Sequence, residues 1–65
     1  MEMSTAYRIK EYRDKLNMTQ EELSKKSGVS RALISGLETG NIKETSTSSL
    51  KKLAKALNIS VGKIF

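Results

Sequence analysis

Sixty-five residues with 37% hydrophobic content make one small domain spanning 1–65, with too little chain for a second core. The absence of cysteine and histidine removes disulfides, redox chemistry and the usual structural zinc site, so the fold must be held by packing or self-association. Twelve Lys+Arg against seven Asp+Glu leave a net charge of +5, and so basic a short chain points to a polyanionic partner, nucleic acid first.

Proline is absent and glycine occurs only at 28, 36, 40 and 62, so the chain is punctuated by glycine and by Ser/Thr/Asn caps. From Thr5 to Leu16, Ile9, Tyr12 and Leu16 recur at helical spacing among charged residues, which predicts helix one. Asn17 and Met18 break that period. Thr19 followed three residues later by Glu22 is a capping-box signature, and it opens helix two at about 20–26. Ser27-Gly28-Val29-Ser30 then supplies a glycine suited to positive φ and a serine able to cap helix three, Arg31 to Thr39, which Gly40 closes. Residues 41–47 carry no period. Ser46 or Thr47 can cap helix four, which contains Leu50, Leu53, Ala54 and Leu57 and stops at Asn58. Ser60 starts a last short turn reaching Ile64 and Phe65, and no strand-like alternation is present, so the fold class is all-α. The apolar set Ile9, Leu16, Met18, Leu23, Val29, Ile34, Leu37, Leu50, Leu53, Leu57 and Ile59 is the expected core.

Helix two, a short turn containing glycine, and helix three together have the spacing of a DNA-binding helix-turn-helix, at about 19–39. At about 100° per residue, Arg31, Ala32, Ser35 and Thr39 fall on one side of helix three and Leu33, Ile34 and Leu37 on the other. Short side chains around Arg31 let the helix enter a major groove about 12 Å wide, where arginine can take guanine O6 and N7 together. The same arginine would also serve as an ordinary solvated charge. Its position in the first turn opposes the helix dipole, a mild cost that favours a binding role.

Gln20, Leu23, Gly28-Val29-Ser30, Ile34-Ser35, Leu37-Glu38, Gly40 and Leu53-Ala54-Lys55-Ala56-Leu57 give the chain a resemblance that runs from about Ile9 to Phe65. It closely resembles the phage repressor and Cro-like helix-turn-helix transcriptional regulators, the xenobiotic-response-element family. The resemblance implies a five-helix, lambda-repressor-like DNA-binding domain that needs no cofactor and acts as a transcriptional repressor. It implies that Arg31, Ala32, Ser35 and Gly36 face the bases or the groove flank, and that Thr19, Gln20, Ser30, Thr39 and Lys43 meet phosphates. For Gln20 and Ser30, plain helix capping is an equal reading. It also implies a partly buried ion pair between Arg13 and Glu38, against the alternative of two solvated charges. Ser24 stands where the family usually has alanine, and Thr45 where many members have proline. Gly36 stands where members often carry a base-reading side chain, so close approach to DNA or to a neighbouring helix is its other reading.

The segment from 46 to 65 holds Lys51, Lys52, Lys55 and Lys63 and no acid, a solvated face supplying long-range attraction. One recognition helix covers too few base pairs to single out a site, so a homodimer on a pseudo-palindromic operator is expected. Val61, Ile64 and Phe65 are the candidate interface; folding back onto the monomer's own core is the alternative. No stretch approaches the ~18 to 20 apolar residues of a membrane span and the amino end has no apolar signal region, which leads us to expect a cytoplasmic protein without membrane contact. Without histidine or cysteine an enzyme is not expected. The competing function is an antitoxin or anti-repressor type module that binds mainly another protein and touches DNA secondarily.

Overall fold

Hydroxyl side chains open three of the four α-helices seen in the computed structural model, which describes residues 7–64. The helices are α1 (Ile9–Lys15), α2 (Gln20–Ser27), α3 (Arg31–Thr39) and α4 (Thr47–Leu57), followed by a 3-10 turn, Val61–Ile64. Thr19, Ser30 and Ser46 each sit in extended backbone and accept a hydrogen bond from the N–H three residues on, satisfying one of the donors that a helix start leaves free. Gly28, Gly40 and Asn58 end α2, α3 and α4 in the left-handed region. Among the described residues there is no strand, and no helix is long and apolar enough to cross a membrane.

Packing follows from the apolar stripe of each helix. Ile9 of α1, Leu23 of α2, Ile34 and Leu37 of α3, Leu53 of α4 and Ile64 of the final turn are fully buried. Each such side chain contributes about 1.5–3 kcal/mol on leaving water. α4 is the spine: α2 and the 3-10 turn pack on it, and α1 bridges α3 and α4.

Four expectations are corrected here. The fifth helix is a 3-10 turn of four residues, closed by the Lys63 N–H on the Ser60 carbonyl at 3.1 Å, so the described residues hold four α-helices and not five. Helix one begins at Ile9, with Arg8 as a cap that offers no side-chain bond; Thr5 lies outside the described residues. Leu16 is not core but 48% exposed, because the chain turns immediately after it with Asn17 at φ +53°, and half-buried Met18 packs inward instead. Ile64 lies in the monomer's own core at 0% exposure, and its carbonyl accepts the Arg8 N–H at 2.7 Å, tying the last turn to the start of α1. It is therefore not a surface for a twin. Val61 is half-buried, and Phe65 lies outside the described residues.

Candidate nucleic-acid interface

The connection between α2 and α3 is fixed by three short bonds. Gly28, at φ +77°, donates its N–H to the Ser24 carbonyl at 2.9 Å, a backbone turn that an L side chain resists. The Ser24 hydroxyl donates to the Val29 carbonyl at 2.7 Å, and the Val29 N–H donates to the Ser27 hydroxyl at 3.1 Å. Val29 itself is buried, so the turn is anchored by packing as well as by polar bonds. Ser24 thus does at this position what alanine could not.

The roll of α3 about its own axis is set from the opposite end. Arg13 Nε donates to Glu38 Oε2 at 2.8 Å and Arg13 Nη2 to Glu38 Oε1 at 3.0 Å, a two-pronged pair whose side chains are 10% and 3% exposed. Arg13 Nη1 also donates to the Met18 carbonyl at 2.7 Å, and Gln20 Nε2 donates to Glu38 Oε1 at 2.9 Å. One carboxylate therefore joins α1, α2 and α3. The hydrogen bond to Glu38 raises the Arg13 pKa above its ordinary value, with burial opposing. With Glu38, Ile34 and Leu37 held inward, Arg31, Ala32 and Thr39 are exposed and Ser35 is half-exposed.

Arg31 makes no ion pair with any described residue, and the first turn of α3 holds no acid, so an unneutralised cation stands beside the positive end of the helix dipole. Such a surface attracts an anion. Thr19 accepts the Glu22 N–H at 3.0 Å while the Thr19 N–H donates to Glu22 Oε1 at 2.8 Å, completing the capping box; Ser30 accepts the Leu33 N–H at 3.1 Å. Both hydroxyls keep their proton free to donate. The Thr39 hydroxyl donates to the Gly36 carbonyl and accepts the Asn41 N–H, each at 3.3 Å. Lys43 is exposed in the loop after α3, and its carbonyl accepts the Tyr7 hydroxyl at 3.0 Å.

Gly36 is the correction among the base-facing candidates. It is buried, and a Cβ built there would lie 2.6 Å from Ile42 Cγ1 and 3.2 Å from Ile42 Cβ. Its carbonyl also accepts the N–H groups of Gly40 at 3.1 Å and Ile42 at 3.0 Å. Glycine is needed here for close approach of the following loop, not of DNA. The roles of Gln20 toward Glu38 and of Ile42 and Tyr7 in seating the loop escape sequence reading. Only the glycine inside an otherwise helical pattern hinted at one of them.

Comparisons with known proteins agree with this geometry. A model of the helix-turn-helix family matches residues 9–64. Two proteins of Archaeoglobus fulgidus, each described as an uncharacterized HTH-type transcriptional regulator, are similar to this chain. One is 47% identical over 58 residues, covering 89% of this chain and 80% of that protein. The other is 43% identical over 58 residues, covering 89% and 81%. No solved structure gives a comparable match.

Proposed function

We propose a mode of action from one premise: the chain belongs to the helix-turn-helix family of DNA-binding transcriptional regulators. In this reading it is a repressor that acts in the cytoplasm by inserting α3 into the major groove of duplex DNA, a binding function without catalysis. Arg31 takes a guanine edge through both guanidinium prongs, and Ala32 and Ser35 let the backbone of α3 come close to the bases. Phosphates are met by the Thr19 and Ser30 hydroxyls, by Thr39 and by the Lys43 ammonium. Gln20 contributes its backbone N–H in the first turn of α2, since its side-chain amide serves Glu38.

The observation that carries the reading is the unpaired Arg31 on a face of small residues, held outward by the Glu38 network. Selection from random duplex DNA followed by titration across salt tests it. The expected result is one enriched sequence whose affinity falls steeply and log-linearly with salt. Absence of any enriched sequence would remove the proposed specificity.

The operator is pseudo-palindromic and bound by a homodimer with α3 helices about 34 Å apart. Val61 remains the candidate contact, while Ile64 belongs to the monomer's core. Sedimentation of the operator complex is expected to give two chains per duplex; one chain per duplex would refute the dimer.

A further inference from the structure

The cations away from α3 are not evenly spread. Lys10, Lys15 and Lys25 pair with Asp14, Glu11 and Glu21 one helical turn away, at 3.3, 3.7 and 3.6 Å. Like Lys43, Lys51 and Lys63, the residues Lys26, Lys52 and Lys55 have no such partner among the described residues. These three line one open groove of about 400 Å³, together with Ser27 and Ala56, where the end of α2 meets the flank of α4. Ala56 is 5% exposed and gives the groove an apolar side; the lysine ammoniums and the Ser27 hydroxyl supply donors. α4 contains no acid, so nothing on that helix neutralises its lysines.

We propose that this groove docks an acidic segment of another protein, with carboxylates on Lys26, Lys52 and Lys55 and a small apolar side chain against Ala56. Charge complementarity selects the sign of the partner, and the lining selects its class. The apolar wall at Ala56 beside the ammoniums suits a flexible segment that offers carboxylates together with an apolar side chain, whereas a phosphate backbone has no apolar group to place there. None of the five lining residues is among those proposed to touch DNA, so the segment and the operator use separate contact residues. The proposal holds whether or not α3 reads DNA.

The test uses a fluorescein-labelled peptide of glutamate and alanine with one central leucine, followed by anisotropy. Two variants of the full chain are compared: Lys26→Gln with Lys52→Gln and Lys55→Gln, and a control with Lys10→Gln, Lys51→Gln and Lys63→Gln that loses the same charge elsewhere. The groove variant should bind the peptide about tenfold more weakly than wild type, as expected from losing three ion pairs, and the control should stay within about twofold. Equal losses in both variants would show diffuse attraction to a basic chain and overturn the groove. So would failure of wild type to bind the peptide. Displacement of the peptide by random-sequence duplex, together with weaker duplex binding by the groove variant alone, would assign the groove to phosphates and also overturn the proposal.

Discussion

Replacing Gly36 by alanine sets two effects of known sign against each other. Alanine favours the helix by about 1 kcal/mol over glycine in the interior of α3. Against this, its methyl would stand 2.6 Å from Ile42 Cγ1 and 3.2 Å from Ile42 Cβ, well inside the usual ~3.5–4.0 Å of carbon contacts. Overpacking of that kind costs about 1–3 kcal/mol, so Gly36→Ala should lose about 1 kcal/mol net. Ile42→Ala removes Cγ1 and Cδ1, and in that background the same Gly36→Ala should be neutral or stabilising by up to about 1 kcal/mol. A double-mutant cycle from urea melts followed by circular dichroism reads the difference as a coupling of about 1–2 kcal/mol, above the ~0.3–0.5 kcal/mol scatter of additive pairs. A 65-residue domain has about 3–10 kcal/mol to lose, so every member of the cycle stays measurable. Equal effects of Gly36→Ala in the two backgrounds would refute the claim that the glycine exists to seat Ile42.

Other perturbations follow from single contacts. Glu38→Ala takes from Arg13, whose side chain is 10% exposed, its buried carboxylate partner and should cost about 3–5 kcal/mol in the same melts, whereas Glu11→Ala breaks only the exposed pairs with Arg8 and Lys15 and should change stability far less. Ile64→Ala should lose about 2–5 kcal/mol of monomer stability, since the side chain is fully buried; a loss under about 0.5 kcal/mol would return it to the surface. The Arg8 hydrogen bond holds the Glu11 carboxyl below the ordinary glutamate range. Its stabilising effect is therefore present above that range and fades as pH falls through the lowered value. A carboxyl chemical-shift titration should show Glu11 titrating below the ordinary range, and Arg8→Ala should bring it back.

The helices were legible in the sequence where local rules decide them. Thr19 with Glu22, Ser30 and Gly40 mark boundaries through hydrogen bonds and backbone angles that need no distant partner, and the observed α2 and α3 start where those residues place them. Helical spacing alone misplaces Leu16 in the core, because it ignores that the helix ends there and that Asn17 redirects the chain. Gly36, Ile42 and Tyr7 were illegible for a different reason. Whether a glycine inside a helix faces solvent, DNA or a returning loop depends on the path of residues 41–46, which carry no periodicity. The groove shared by Lys26, Lys52 and Lys55 likewise depends on how α2 lies against α4, and sequence charge counting sees only its lysines.

Binding by Arg31→Ala to the selected duplex and to random duplex, measured side by side, tests the proposed reading of DNA by α3 most directly. If Arg31 takes a guanine edge, the variant should lose about 1–3 kcal/mol on the selected site, relax preference at one base pair and change little on random DNA, while Lys43→Ala weakens both about equally. Equal losses on both duplexes for Arg31→Ala would contradict base reading and make the arginine one more phosphate contact.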